Sequence, residues 1–253
     1  MPQASREPPD RSIRLALIAA AAIAFAAAIN PTATAAESNA DCLTSSIPDG
    51  PVSLTAGLGP DLAPTIVIGQ GEGSVLSGSL ASAGTGVPGA YLCVYSRVLT
   101  DSEASFVGIA VSRPDGTYRF SLPPGPSRSL TVVARSSQGS QETSAVLKTQ
   151  VRPSLVARPN PVHNMHFVRF SGRIPGPHGD KVTVVLRASA ISGTQWFDFR
   201  HASTHDNGRF AIRYFFNRTP QATTYLIRAQ VLGAPGYPYE AGNSRDLRLR
   251  VLP

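Results

Sequence analysis

The side chains able to do chemistry gather in the last third of this 253-residue chain. His201 and His205 stand four apart with Asp206 following, and His163 and His166 stand three apart. On a helix, a spacing of four would put two imidazoles on one face, as a zinc ion needs. On a strand, residues four apart share a face but lie roughly 13 Å from each other, too far for one ion. Asp198 and Asp206 could be named as a carboxylate pair, but nothing in the sequence brings them to one cleft. Nucleophilic catalysis needs a Ser or Cys beside a His. Cys93 lies in a half of the chain without any His, and no Gly-x-Ser-x-Gly elbow occurs. Gly71-Glu72-Gly73-Ser74 lacks the following helix that phosphate binding uses. The residues therefore predict no catalytic, metal or cofactor-binding site: not an enzyme, and no cofactor.

Binding is the sharper possibility. Trp196, Phe197 and Phe199 with Tyr237 and Tyr239 could make a sugar-stacking platform, with Arg200 and Arg245 pairing acidic sugars. The competing reading puts the alternate members of the Trp196 stretch in a core and makes Tyr237-Pro238-Tyr239 a packed loop. Charge adds a second hint. The chain carries a net +7. Residues 41–160 hold 8 basic and 8 acidic side chains, whereas 161–253 hold 12 and 5, and all five histidines. A basic domain outside the cell could meet anionic wall polymers. The alternative is a solvated surface with Arg on outward strand positions.

The elements that would position these residues are strands. Asp206-Asn207-Gly208 leads into Arg209 to Tyr214, where Phe210, Ile212 and Tyr214 face one way and Arg209, Ala211 and Arg213 the other. Asp115-Gly116 leads likewise into Tyr118, Phe120 and Leu122. Gly116 and Gly208 stand 92 residues apart, and Gly78 and Gly172 stand 94 apart. A near-constant offset over several strands predicts a duplicated domain. In the same alignment Val182, Val184 and Leu186 match Tyr91, Cys93 and Tyr95. Roughly seven strands in ninety residues is the density of an Ig-like sandwich. The predicted fold is all-β: two tandem Ig-like antiparallel β-sandwiches, with an extended lead-in over 37–64, a first domain over 65–158 and a second over 159–253. Pro153, Pro159 and Pro161 mark a short stiff connector, with the boundary near Arg158.

The first 36 residues read as a cleavable signal peptide. Arg6, Arg11 and Arg14 precede an apolar run from Leu15 to Ile29, and Ala33-Thr34-Ala35 supplies the cleavage pattern after Ala35 or Ala36. A retained membrane anchor is the competing reading, but the run is short for a bilayer crossing of roughly 20 residues. The expectation is a secreted or cell-surface bacterial protein with no stable membrane span after cleavage and no nucleic-acid partner. Export favours a bridge between Cys42 and Cys93, the only two cysteines. A buried thiol is the alternative for Cys93.

Gly84-Thr85-Gly86-Val87-Pro88-Gly89-Ala90 followed by Asp115-Gly116-Thr117-Tyr118-Arg119-Phe120 resembles the carboxypeptidase regulatory-like (transthyretin-like) and related bacterial Ig-like domains. The second domain, through Ser171-Gly172-Arg173-Ile174-Pro175-Gly176, Asn207-Gly208-Arg209-Phe210 and Gly236 to Gly242, resembles a companion module of secreted actinobacterial proteins. It has Pro177-His178-Gly179-Asp180 where the first has its Pro88-Gly89-Ala90 turn. The resemblance covers about 65–253 and implies accessory or surface modules without shared chemistry. The leading expectation is a structural or adhesive module. The alternative is a binder of carbohydrate or anionic wall polymer through the basic second domain. The partner is left open between a cell-wall polymer and another surface protein.

Overall fold

The computed structural model describes residues 47–253 apart from 49, 138, 177–180 and 192. The expected signal segment, Cys42, most of the lead-in's first half and the turn at 177–180 lie outside the described residues. Every regular element among the described residues is a strand. Among them no helix is long and apolar enough to cross a membrane.

The first half contributes β1 (Val52–Leu58), β2 (Thr65–Gly69), β3 (Ser74–Ser82), β4 (Thr85–Gly86), β5 (Tyr91–Val98), β6 (Ser105–Val111), β7 (Thr117–Leu122), β8 (Arg128–Ser136) and β9 (Gly139–Gln150). β3 pairs with β1 and with β7, and also carries the short β4. The facing sheet runs β2-β9-β8-β5-β6. The second half contributes β10 (Val156–Arg158), β11 (Val162–His163), β12 (Phe167–Arg173), β13 (Thr183–Ala190), β14 (Phe197–Ser203), β15 (Arg209–Phe215), β16 (Thr223–Val231), β17 (Gly242–Asn243) and β18 (Leu247–Leu252). Its sheets run β10-β12-β15 and β11-β18-β16-β13-β14, with β17 on β16. These are two sandwiches of the same strand order, and the fold is all-β and Ig-like. Two pairs depart from antiparallel: β2 runs parallel to β9, and β11 to β18. The cause is shared. In each sandwich the entering chain pairs with one sheet (β1, β10) and then crosses to the other (β2, β11), which reverses its sense relative to its new neighbour.

Each sandwich has its own core, built by period-two alternation. Leu76, Leu80 and Tyr118 meet Leu92, Val94 and Leu130 in the first. Val168, Phe170 and Phe210 meet Val184, Leu186 and Ile227 in the second. Burying each such side chain contributes roughly 1.5–3 kcal/mol. Matching devices hold the two copies in register. Gly78 pairs with Tyr118 and Gly172 with Phe210. A Cβ on Gly78 would sit 1.9 Å from the Thr55 carbonyl oxygen, and one on Gly172 would sit 2.0 Å from that of Ser154. Only glycine lets the neighbouring chain and the aromatic ring approach this closely. Asp115 Oδ1 accepts from the Thr117 amide at 2.9 Å, and Asn207 Oδ1 accepts from the Arg209 amide at 3.0 Å. The counterpart of Asp115 is thus Asn207, and Asp206 takes the place of Pro114. Those bonds, the Thr117 hydroxyl foremost, hold the Asp115 carboxyl below its ordinary range.

Three expectations need correction. The stretch read as an extended lead-in supplies β1, which pairs with β3 along its whole length and puts Leu58 in the first core. The division after Arg158 falls at the end of β10 and leaves that strand with the first domain, whereas the second core already includes Val151 and Ala157. The prolines fit there because β10 is a sheet edge, where a missing N–H is tolerated. On β5 the inward residues are Leu92 and Val94, the counterparts of Val184 and Leu186. Cys93 lies on the outer face, buried with Val133, Tyr95, Phe106 and Ile109. Both faces of β5 are apolar, so alternation did not choose between them, and a slip of one residue reversed the assignment.

The sandwiches meet without a free linker. The Ser127 amide donates to the Pro238 carbonyl at 2.8 Å, and the Val151 and Glu240 amides bond the Glu240 and Thr149 carbonyls at 3.1 and 2.9 Å. Lys148 Nζ lies 3.2 Å from Glu240 Oε1.

Candidate functional site

Alternation on β12 and β15 turns Phe170 and Phe210 inward and must turn their neighbours outward. What it turns outward is arginine. Across the three-stranded sheet of the second sandwich, Arg158 pairs with Arg169, and Arg169 with Arg213. Two residues along, Val156, Ser171 and Ala211 form a row of small side chains. Beyond it Arg173 pairs with Arg209. All five arginines are exposed. Two basic rows therefore flank a low trough, and an open groove lies over Arg169, Arg173 and Arg209 with His205 and Asn207 at its end.

Like charges set opposite each other across strands are destabilising. Among the described residues no acid pairs with them. The ion pairs among the described residues are Lys148–Glu240, Arg187–Asp198 and Arg228–Asp246, all elsewhere. Two of the five guanidiniums have uncharged contacts: Arg213 lies 4.5 Å from the centre of the Phe167 ring, and Arg173 Nε donates to the Asn207 carbonyl at 3.2 Å. The first sandwich is an internal control. Where the second has Arg173, Arg209 and Arg213, the first has Ser79, Thr117 and Ser121. There a neutral hydroxyl pair, Thr55 and Ser79 at 2.9 Å, lies across the same strands. The fold forms with either set, so the arginines are not there for the fold. Chemically the face can hold a phosphate or carboxylate polymer along two charged rows, with bidentate guanidinium contacts.

The residues singled out from sequence are dispersed. Tyr237 is buried and donates from its hydroxyl to the Pro175 carbonyl at 3.1 Å. Burial pushes that hydroxyl's pKa up, and that of Tyr239 as well, with Arg128 opposing the latter shift. The two rings are 5.3 Å apart at the junction of the sandwiches. Trp196 precedes β14 on the outer face of the six-stranded sheet, half-buried, with Arg228 Cζ 3.4 Å from its ring centre. Arg245 borders a different groove, beside Arg152 and Asp246. Arg200 projects from β14 near Tyr214. Of the platform, only Tyr237 and Tyr239 come together, and Tyr237's burial removes it from ligand contact. Phe199 belongs with the second core, while Phe197 is exposed.

His201 lies on β14 and His205 in the turn, whose amide bonds the Arg209 carbonyl. His163 and His166 have ring centres 6.1 Å apart and each bonds a backbone carbonyl. Among the described residues no three of His, Cys, Asp and Glu converge as a metal would require. Asp198 is taken by Arg187 at 2.7 Å. The arginine face was partly visible in sequence, since Arg209 and Arg213 alternate with Phe210 and Ile212. Its assembly was not, because Arg158 and Arg169 join them only through strand pairing.

No family model and no curated protein matches the chain. Similar solved structures include the ICAM-5 D1–D4 ectodomain fragment, at 14% identity and TM-score 0.39 over 79% of this chain and 51% of that one. A Dscam structure aligns at 12% and 0.40 over 80% and 46%. Salmonella alpha-2-macroglobulin reacted with methylamine aligns at 15% and 0.29 over 83% and 16%. The chain thus spans about half of the first two and about a sixth of the third. At such scores these likenesses carry no argument about this chain, and the fold rests on its own strand order and registers.

Proposed function

We propose that this chain is an exported, non-enzymatic adhesive module of two tandem sandwiches, the second of which holds an anionic polymer of the cell surface. The observation that carries the reading is the ladder of Arg158, Arg169, Arg173, Arg209 and Arg213, without an acidic partner among the described residues, and with Ser79, Thr117 and Ser121 in the first copy where the second has Arg173, Arg209 and Arg213. The partner is thus a wall polymer bearing phosphate or carboxylate groups rather than a neutral sugar. The remaining assignments belong to the same proposal: a signal peptide over 1–36 removed on export, sandwiches of the carboxypeptidase regulatory-like type, and a Cys42–Cys93 bridge. The bridge is supported by the burial of Cys93 on an outer sheet face and by the lack of any free cysteine among the described residues. It would pin the N-terminal segment over that face.

Sedimentation with purified bacterial cell wall tests the reading. The native protein should co-sediment at low salt and be released as salt rises. The pair R169Q and R209Q should stay in the supernatant, while R248Q with R250Q, on β18, should sediment like the native protein. Equal sedimentation of all three, or none by the native protein at low salt, would sink the proposal.

A further inference from the structure

The second sandwich has an opening between its sheets at the end away from the first sandwich, and its walls are aromatic. Phe199, Tyr214, Phe216 and Tyr225 line a cavity of about 180 Å³, with Asn217 and Arg218 at the mouth. The rings form a connected chain. Phe199 and Tyr214 are 5.1 Å apart, Tyr214 and Phe216 4.8 Å, and Phe216 and Tyr225 6.1 Å and nearly parallel at 27°. An apolar cavity of ~150 Å³ takes a benzene molecule, so this one has room for a single six-membered ring.

The same place in the first sandwich also opens, over about 310 Å³, but its lining is different. There Ser96, Val107, Leu122 and Arg128 replace Ala188, Phe199, Tyr214 and Tyr225. Arg128 is buried, donating from Nη2 to the Pro123 carbonyl, so a guanidinium lines that opening. The second copy has a tyrosine where the first has that arginine, so its opening is walled by rings.

Polar groups decide the class of ligand. The hydroxyls of Tyr214 and Tyr225 have no hydrogen-bond partner among the described residues, although both rings are half-buried. Among the described residues Arg218 has no ion pair, and Arg200 places its guanidinium 5.4 Å from the Tyr214 ring centre. No acid lines the cavity. Aromatic faces suit the C–H face of a pyranose, phenol hydroxyls suit its hydroxyl groups, and an unpaired guanidinium suits a carboxylate. We infer that this cavity is a binding site for one carboxylated pyranose, a hexuronic acid unit, with Arg218 reading the carboxylate and Tyr225 a ring hydroxyl.

This inference stands apart from the arginine face, and its test uses probes too small to bridge the arginine rows. The full-length mature protein is titrated with methyl glucuronide, methyl glucoside and benzoate, and followed by amide NMR shifts at Phe216, Asn217 and Thr219. Methyl glucuronide should saturate these shifts, R218Q should weaken it about tenfold or more, and Y225F several-fold. R248Q, on β18 and outside both sites, should leave it unchanged. Equal response to methyl glucoside would remove the reading of the carboxylate. Saturation by benzoate alone would make the cavity a plain aryl pocket, and no response to any probe would remove the site. Each of these three results overturns the inference.

Discussion

Arg169 sits in the middle of a row of three arginines, with Arg158 on one side and Arg213 on the other. Replacing it with glutamine keeps the stem and removes the charge. Facing residues in antiparallel strands have Cα atoms ~5 Å apart, and the guanidinium tips can splay to ~7 Å. Two unit charges at that distance in water repel by about 0.6 kcal/mol, and a Debye length of ~8 Å at physiological salt cuts this to about 0.25 kcal/mol. Two neighbours make about 0.5 kcal/mol of repulsion that R169Q relieves. For a unit of this size that is a rise in Tm of about 1–2 °C, larger at low salt. The same change should weaken binding to a polyanion. Each charge that neutralises a phosphate contributes nearly one unit to the slope of log affinity on log salt, so R169Q should lower that slope by about one. The assays are differential scanning calorimetry at two salt concentrations and titration with long-chain polyphosphate across a salt series. Lower stability, or an unchanged salt slope, would refute the reasoning, because only a binding surface gives up stability for affinity in this way.

Other outcomes follow from the interior. Gly172→Ala would place a Cβ 2.0 Å from the Ser154 carbonyl and 2.5 Å from the Phe210 ring. It should cost roughly 3 kcal/mol in urea denaturation, whereas Gly233→Ala, in open space, should stay within about 0.5 kcal/mol. Burial raises the pKa of the Tyr118 hydroxyl, which donates to the Thr55 carbonyl at 2.6 Å. The unfolded chain loses that proton near pH ~10 while the native state keeps it. This contribution is therefore complete below pH ~10 and is lost as pH rises further. Near-ultraviolet circular dichroism should show alkaline unfolding that begins there, and Y118F should soften it at a cost of about 1–2 kcal/mol at neutral pH.

The duplication was legible because glycine and turn residues report backbone needs directly. Gly78 and Gly172, and Gly116 and Gly208, keep their spacing since the close approaches and turns they serve recur. The face of β5 was not legible, because Cys93 and Leu92 are both apolar and only packing tells inside from outside. The prolines around Arg158 misled for a related reason: an edge strand tolerates them as readily as a connector does. The binding residues were the hardest to read. Trp196 and Tyr237 have the chemistry of a sugar platform, but side-chain type does not say that Tyr237 will spend its hydroxyl on Pro175. Arginines that alternate with core residues look like ordinary solvated positions on any one strand. Their meaning comes from three strands set side by side.

The parallel pairs at the entrance and exit of each sandwich have a mechanical consequence. A chain pulled by its ends drags β2 and β9 past each other lengthwise, so their pairing is loaded in shear rather than peeled one bond at a time. The first sandwich meets this load over five paired residues, Thr65–Gly69 against 146–150. The second meets it over two, Val162 and His163 against Val251 and Leu252. Under tension the second sandwich should yield at the lower force, and single-molecule extension would register its smaller peak first. The half that carries the arginines is then also the half that gives way, and its extension would cap the tension while the first sandwich stays folded.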